Sequence, residues 1–322
     1  MNNKGQALMF SLWVLIILTL LSVNLGHEVS LSLRVGRYST AQLRAYALAR
    51  AGVGSAVVEL NRNHDEYDSL TQLWCSCNDP VTEKTLFLNQ EIQEGSKETF
   101  TIGDRLAQEG SRCMVDEERK ININTASMEL LTALLQNAGS PNAKADANSI
   151  RAFRGDSDPE LLMEIRNCQN HDCIFKKSPF VNTEELVLVK GITQELMKNL
   201  KSKVTVFGSG AININTVPIE TLNIFLKGIA REISASENSI EALGSKIIKR
   251  RETGGPYKTR DDLDIPLDSA DETNIFNRLK DEVVFRSDNF LIQATGQSAD
   301  VKSRIAAVYE RKNKKIIFWH EG

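Results

Sequence analysis

The sequence contains none of the short motifs that identify the common catalytic sites. It has no G-x-S-x-G nucleophile turn, no P-loop and no H-E-x-x-H zinc motif, and its four histidines are scattered at positions 27, 64, 171 and 320. Adjacent carboxylates occur in four places, and each is more typical of a solvated turn than of a general acid and base. These absences argue against an enzyme. The carboxylate groups are Asp65/Glu66, Asp116/Glu117/Glu118, Asp156/Asp158 and Asp261/Asp262.

An excess of positive charge is absent as well. The chain has 39 Lys and Arg residues against 42 Asp and Glu residues, which gives a formal net charge of -3. A protein of this charge has no general attraction to phosphate backbones. Nucleic acid is therefore disfavoured as a main partner.

Cysteine is scarce, with five residues in a chain of 322, at positions 75, 77, 113, 168 and 173. Cys168 and Cys173 enclose a short polar loop and can form a small disulfide in an oxidising compartment. A zinc site that also uses His171 is the alternative, but no second cysteine pair with suitable spacing follows. We therefore favour the disulfide.

The longest apolar feature begins directly after Lys4 and Gly5, as an uncharged run that extends over residues 6–26. Residues 7–26 span about 30 Å as a helix, enough to cross the hydrocarbon core of a bilayer. A secretory signal peptide has a shorter apolar core and ends at small residues, which the Val-Asn-Leu sequence at 23–25 does not provide. The run is either an uncleaved anchor or a pilin-type start that is cleaved after Gly5.

The rest of the chain alternates between helical and strand patterns. The apolar spacing predicts one long helix over residues 6–62. Short β-prone runs follow within residues 84–118, a mostly helical region begins at residue 121, and β-prone runs return within residues 289–319. If the two groups of strands pair with each other, the helical region is an insertion in an α/β domain.

The helical region contains an internal repeat. The sequence ININTASMELLTALL at 121–135 is echoed by ININTVPIETLNIFL at 212–226, which predicts two similar helical modules. We expect Thr125 and Thr216 to cap the two helices that follow, and Pro218 to lie in the first turn of the second helix.

This order of features resembles general secretion pathway protein K, a minor pseudopilin family of the type II secretion system. The likeness extends along nearly the whole chain, and the order of its segments is more specific than any one of them. The segments are ALMFSLWVLIILTLL at 7–21, ARAGVGSAVVEL at 49–60, VDEERKININTAS at 115–127, SPFVNTEELVLVKGIT at 178–193, AININT at 211–216 and NFLIQATGQ at 289–297.

The resemblance implies an α+β fold. A long N-terminal transmembrane, pilin-like helix packs on a small antiparallel sheet, and a large all-α insertion contains two modules like SAM or helix-hairpin-helix domains. The implied division is a prepilin leader (1–5), the N-terminal helix (6–62, transmembrane over 7–26), an α/β domain (63–120 and 286–322), and two helical modules (121–208 and 209–285).

The resemblance also implies processing at the N-terminus. A prepilin peptidase would cleave between Gly5 and Gln6 and methylate the new amino terminus, although Gln6 is more polar than the usual first residue. Most pilin-like subunits have a glutamate at the fifth mature position, where an unpaired carboxylate in the membrane costs at least about 2.5–3.5 kcal/mol. Here that position is Phe10. Its lack of charge suits a subunit at the filament tip, with no earlier subunit above it.

The implied function is to start and cap the pseudopilus, without catalysis, for protein export across the outer membrane. The implied partners are two other minor pseudopilins in a heterotrimeric tip complex, the prepilin peptidase, the inner-membrane secretion platform and the membrane itself. The chain would cross the bacterial inner membrane once, with its C-terminal domain in the periplasm. The family also suggests calcium, for which Asp116 and Asp288 are the candidate ligands.

A membrane-anchored DNA-binding protein of the competence type is the alternative function. Residues 243–263 resemble a helix-hairpin-helix element and contain the basic cluster Lys246, Lys249, Arg250 and Arg251. Such hairpins bind phosphate through backbone N–H groups in a Gly-hydrophobic-Gly turn. The second glycine is missing here, since residues 191–193 are Gly-Ile-Thr and residues 228–230 are Gly-Ile-Ala. We therefore favour the pseudopilin.

Overall fold

The computed structural model describes residues 3–76, 90–91, 97–103, 114–156 and 176–322. The helices are α1 (Asn3–Arg62), α2 (Leu73–Ser76), α3 (Met128–Ala138), α4 (Ala143–Arg154), α5 (Gln194–Leu200), α6 (Ile219–Glu232), α7 (Ile240–Gly254) and α8 (Ala270–Glu282), with 3₁₀ turns at Glu117–Arg119, Thr183–Leu188 and Arg260–Asp262. The strands are β1 (Gln90–Glu91), β2 (Glu98–Ile102), β3 (Met114–Asp116), β4 (Ile121–Asn122), β5 (Val204–Thr205), β6 (Ile212–Asn213), β7 (Val283–Val284), β8 (Asn289–Ser298), β9 (Val301–Glu310) and β10 (Lys315–Glu321).

One antiparallel sheet combines strands from both ends of the chain. Strands β1, β2, β8, β9 and β10 pair in that order, and β3 pairs with the first part of β8. Ile102 of β2 is opposite Ala294 of β8, and Met114 of β3 is opposite Ile292. Since β2 and β3 precede the helical region and β8 follows it, that region is an insertion. The predicted α+β architecture is confirmed.

Helix α1 covers one face of the sheet with its C-terminal part only. Its buried residues recur at helical spacing, which places them in one stripe against the sheet. They are Ala45, Leu48, Ala49, Gly52, Val53, Ala56 and Leu60. At the N-terminal end of the stripe the helix backbone lies directly on β8. A Cβ built at Gly296 would be only 2.0 Å from the carbonyl oxygen of Ala45. Only glycine allows this contact.

The insertion has its own hydrophobic core, built from helices α3 to α8. Helices α3 and α6, which follow the two ININT segments, pack closely together. A Cβ at Gly228 of α6 would be 2.9 Å from the Cα of Leu130 in α3. The two modules therefore share one continuous core instead of standing apart.

Each module also contains a short parallel strand pair beside its helices. Ile121 pairs with Val204 in the first module, and Ile212 pairs with Val283 in the second. The strands β4 and β6 are the Ile-Asn entries of the two repeats. In each module, the first segment thus pairs with the last segment.

An asparagine holds the same place in both modules. Asn124 accepts a hydrogen bond from the Phe180 N–H (2.7 Å) and donates to the Phe180 carbonyl (2.9 Å). In the second module Asn215 accepts from the Tyr257 N–H (2.8 Å) and donates to the Tyr257 carbonyl (2.7 Å). The repeat seen in the sequence is therefore also a repeat of contacts.

The expected threonine caps are wrong. Helix α3 begins at Met128, and the side chain of Ser127 caps it by accepting the Leu130 N–H. Helix α6 begins at Ile219 with Pro218 at the N-cap position, one place before the predicted first turn. Turns at the ININT segments delay both helix starts, because Asn122 and Asn213 accept N–H groups two residues later.

Candidate functional site: the exposed helix and the buried acidic junction

No described residue outside α1 covers the N-terminal part of this helix. Every residue from 6 to 40 is exposed, including large apolar side chains such as Leu12, Trp13 and Leu20. Within Gln6–Arg62 an 18-residue window reaches a mean hydropathy of 2.3, and none of that window is buried. Water does not solvate such a surface favourably, so lipid or another helix must cover it. This segment is a candidate membrane anchor.

The predicted processing residues lie at the start of this helix. Gly5 belongs to α1, which runs unbroken through the bond between Gly5 and Gln6. Phe10 is 75% exposed, so its ring is available to lipid or to a neighbouring chain.

The two glycines at 52 and 54 have different environments. Gly52 faces the sheet, where a Cβ would be 3.1 Å from the Phe100 ring and 3.2 Å from the Ala294 side chain. Gly54 faces outward, and a Cβ there would have nothing within 4 Å. Gly52 therefore serves packing within the chain, whereas Gly54 leaves the outer face of α1 free for close contact.

A group of buried carboxylates lies where the insertion joins the sheet. Asp116, at the end of β3, is 1% exposed and accepts three hydrogen bonds. The donors are the hydroxyls of Thr216 (2.6 Å) and Ser287 (2.7 Å) and the backbone N–H of Glu118 (2.8 Å). Burial raises the pKa of Asp116 to about 6, although the hydrogen bonds from Thr216 and Ser287 oppose the rise. One carboxylate thus connects β3, the second repeat and the return to β8.

Glu118 makes a second connection across the same junction. Its two oxygens accept the Asp288 N–H (2.8 Å) and the Asn289 side-chain amide (3.0 Å). Burial, followed by the negative charge of Asp116, raises the pKa of Glu118 to about 8. Glu118 therefore keeps its proton to a higher pH in the folded protein than an exposed glutamate does.

Glu117 extends the junction into the first module. It accepts hydrogen bonds from the Thr205 hydroxyl (2.5 Å) and from the ammonium group of Lys120 (2.6 Å). The three neighbouring carboxylates at 116–118 are all buried, so the expectation of a solvated turn is wrong for them. Apolar residues on both sides, Met114 and Ile121, are the sequence signal that indicates burial here.

A buried ion pair completes the junction. Arg311, at the end of β9, donates to both oxygens of Asp68 (2.9 and 3.0 Å), and Asp68 is fully buried. Asp68 also accepts the Ser287 N–H (2.7 Å) and so holds the C-terminal end of the insertion. Nothing in the local sequence around Asp68 or Arg311 indicates this pairing, because the two residues are 243 positions apart.

The junction does not fit a calcium ion. Both oxygens of Asp116 already accept protein donors, and Asp288 contributes only its backbone to this network. Within the described residues no three His, Cys, Asp or Glu side chains come together as a metal site. Calcium binds through several free oxygen ligands, which this arrangement lacks.

The structure does not test the predicted disulfide between Cys168 and Cys173. Cys168 and Cys173 fall outside the described residues, and Cys75 is buried in the core between α1 and the sheet. The disulfide therefore stays a prediction.

The basic cluster of the second module is engaged within the protein. Lys246 binds Asp268 (2.7 Å) and Glu272 (2.8 Å). Arg250 lies 5.2 Å from the centre of the Tyr257 ring, and Arg251 donates to the carbonyls of Ile214 and Val217. Three of the four cations thus have internal roles, which leaves little of the cluster for a phosphate backbone.

Neither candidate hairpin glycine forms a phosphate-binding turn. Gly228 lies inside helix α6. Gly191 has a left-handed backbone (φ 90°), but a Cβ there would be 1.8 Å from a carboxylate oxygen of Asp146. A carboxylate so close to the turn would repel phosphate. The geometry therefore argues against the DNA-binding alternative.

Comparison with known proteins agrees with this fold. No family model matches the chain, and no curated protein matches it. In the crystal structure of the GspK-GspI-GspJ complex from the enterotoxigenic Escherichia coli Type 2 Secretion System, one chain superimposes with a TM-score of 0.63 and 15% identity. The match covers 90% of this protein and 99% of that chain. At this identity the likeness establishes the fold, and the predicted resemblance is confirmed at that level: the protein has the fold of a chain of the GspK-GspI-GspJ complex.

Proposed function

We propose that this protein is a minor pseudopilin at the tip of a type II secretion pseudopilus, where it initiates and caps assembly for protein export across the outer membrane. The observation that carries the proposal is the fold shared with a chain of the GspK-GspI-GspJ complex over 90% of this protein. The exposed apolar helix supports it, because pilin-like assembly needs a membrane segment that can be passed to other helices. The role is structural, not catalytic.

In this proposal the chain crosses the bacterial inner membrane once through residues 7–26, and its C-terminal domain lies in the periplasm. Prepilin peptidase cleaves after Gly5 and methylates Gln6, and the secretion platform of the inner membrane then receives the mature subunit. The absence of any Asp or Glu from residues 6–26 allows this helix to stay in lipid without a compensating partner.

The position of the insertion supports a capping role. Its C-terminal end meets the far end of α1, where Arg286 donates to the carbonyl of Asn63 and the Asp68 N–H donates to Phe285. Residues 27–62 of α1 separate this point from the membrane segment by about 54 Å. The insertion therefore adds its bulk at the membrane-distal end, where it would obstruct another subunit stacking above.

Phe10 supports the same position in the pseudopilus. Counted from Gln6, it is the fifth residue, where other pilin-like subunits have a glutamate that meets the amino terminus of a neighbour. A first subunit has no earlier neighbour above it, so a carboxylate there would stay unpaired at a cost of at least about 2.5–3.5 kcal/mol. An exposed phenylalanine avoids that cost.

The outer face of α1 is the surface proposed for the two other minor pseudopilins. Five of its exposed residues follow one helical stripe on the side opposite the sheet, and three of the five are Ala or Gly. They are Leu43, Ala47, Ala51, Gly54 and Val58. Small residues let two helix backbones approach closely, so this stripe suits a helix of another subunit.

The processing step is tested by co-expressing the full chain with a prepilin peptidase. We expect the intact mass to fall by the mass of residues 1–5 and to rise by one methyl group. The variant Gly5→Val is the control, because a side chain at the leader glycine should block cleavage. An intact leader on the unaltered chain would refute the assignment.

The partner surface is tested by co-purifying the chain with the two other minor pseudopilins of one secretion system. We expect Ala51→Leu, on the outer stripe of α1, to weaken the complex, because the larger side chain separates the helix backbones. Ala242→Leu is the matched control, since Ala242 is exposed on α7 of the insertion. Equal recovery of partners with both variants would show that the outer stripe is not the interface.

A further inference from the structure

A basic pocket lies beside the C-terminal end of α1, away from the outer stripe and away from the core of the acidic junction. Its volume is about 350 Å³, and it lies between the end of α1, the segment before β8 and the turn from β9 to β10. The ionisable residues that line it are His64, Arg286, Asp288, Arg311, Lys312 and Lys314.

The charges in this pocket do not balance within the protein. Arg286, Lys312 and Lys314 are exposed and form no ion pair with any described residue, and Asp288 is the only carboxylate in the lining. Arg311 is neutralised by Asp68. Three cations against one carboxylate leave two positive charges, which complement a doubly charged anion.

Arg311 supplies an independent sign of a ligand. Its side chain is 8% exposed and packs over the Phe290 ring, with the guanidinium carbon 4.6 Å from the ring centre. Two of its nitrogens bind Asp68, but the buried Nε has no hydrogen-bond partner among the described residues. A buried donor without an acceptor costs about 1–3 kcal/mol, and a small shift of the guanidinium that exposes Nε to the pocket would let an anion oxygen accept from it.

The location excludes a lipid headgroup as the ligand. Residues 27–62 of α1 place the pocket about 54 Å from the membrane segment. We propose that this pocket is a binding site for a small doubly charged tetrahedral oxyanion, with phosphate and sulfate as the two sources of that chemistry. His64 adds a ring N–H donor to the lysines and arginines. The inference does not depend on the pseudopilin role, but the exclusion of a lipid headgroup rests on the proposed membrane segment at residues 7–26.

The test is isothermal titration of the full chain, in detergent micelles at constant ionic strength, with inorganic phosphate and separately with sulfate. We expect saturable one-to-one binding. When the titration is repeated at a higher sodium chloride concentration, the binding should weaken. The double variant Lys312→Gln/Lys314→Gln should bind at least about tenfold more weakly. Lys302→Gln is the control, because Lys302 is likewise an exposed lysine but lies in β9, on a different surface. It should bind as tightly as the unaltered chain.

Arg286→Gln repeats the test from a different segment, so a folding defect in the turn variant does not leave the question open. Saturable binding of only one of the two anions would identify the source. Absence of saturable binding for both anions would overturn the proposal, as would equal affinity in the lysine variant and the control. Tighter binding of glutarate than of either inorganic anion would overturn the tetrahedral assignment, because a dicarboxylate offers planar groups.

Discussion

Replacing Gly296 by alanine should push α1 away from β8 at the point where the two backbones meet. The added Cβ would be 2.0 Å from the carbonyl oxygen of Ala45 and 2.4 Å from the backbone nitrogen of Ala49. Reaching ordinary contact at 3.4 Å requires the helix and strand to separate by 1.4 Å. Both atoms belong to the backbone of a helix, so neither can rotate away. A gap of even 0.5–1 Å forfeits about a quarter to a half of a contact's dispersion energy.

We therefore expect Gly296→Ala to reach the upper end of the cost of overpacking, about 3 kcal/mol. For a domain of this size that loss corresponds to a melting temperature about 6–12 °C lower. The control is Gly54→Ala on the outer face of α1, where a Cβ meets nothing within 4 Å. There the better helix propensity of alanine should stabilise the protein by about 0.5–1 kcal/mol.

The measurement is urea denaturation of the full chain in detergent micelles, followed by tryptophan fluorescence. Trp74 is the useful probe, because it is buried in the core between α1 and the sheet and its ring meets Phe290 edge-on. A Gly296→Ala protein that unfolds within about 1 kcal/mol of the unaltered chain would refute the close contact between α1 and β8. Destabilisation by Gly54→Ala would show instead that the outer face of α1 is covered within the chain.

Two further predictions concern the acidic junction. Because the pKa of Glu118 is raised from 4.5 to about 8 by folding, its contribution to stability is full below pH 4.5 and is lost as pH rises to 8, at about 1.4 kcal/mol per pH unit. Urea denaturation across pH 6–8, above the pKa of about 6 at Asp116, should show this slope, and Glu118→Gln should flatten it; an unchanged slope in the variant would contradict the assignment. Arg311→Met should leave the Asp68 carboxylate buried without its partner and lower stability by about 3–5 kcal/mol in the same assay. The control is Arg260→Met, which removes an exposed ion pair with Asp281 and should change stability by less than about 1 kcal/mol. Equal losses of stability in Arg311→Met and Arg260→Met would contradict the burial of the Arg311–Asp68 pair.

The elements with strong local patterns could be predicted from the sequence. The long helix, the strands of the sheet and the two repeats all have periodic apolar residues, and periodicity depends only on neighbours in the chain. The strand order left open whether the strands within 84–118 and 289–319 pair with each other, and the family resemblance implied that they share one domain; β2 and β3 do pair with β8. These features decide the fold.

The acidic junction could not be predicted in the same way. The donors to Asp116 come from Thr216 and Ser287, which are 100 and 171 positions away. A local pattern cannot distinguish a carboxylate in a solvated turn from one that meets distant hydroxyls inside the protein. The same limit explains the error at Thr216, whose hydroxyl donates to Asp116 instead of capping α6. In both cases, contacts between polar residues far apart in the sequence determine the environment of the side chain.

The hydrogen bond between Asp116 and Ser287 joins the two ends of the insertion, and this has a consequence for folding order. Pairing β3 with β8 in an otherwise unfolded chain closes a loop of about 170 residues, at an entropic cost of about 4.5 kcal/mol by the logarithmic loop law. An insertion that folds first brings those two strands together in advance, so the later pairing closes no long loop. A helical region that folds first would therefore act as the template on which the sheet is completed.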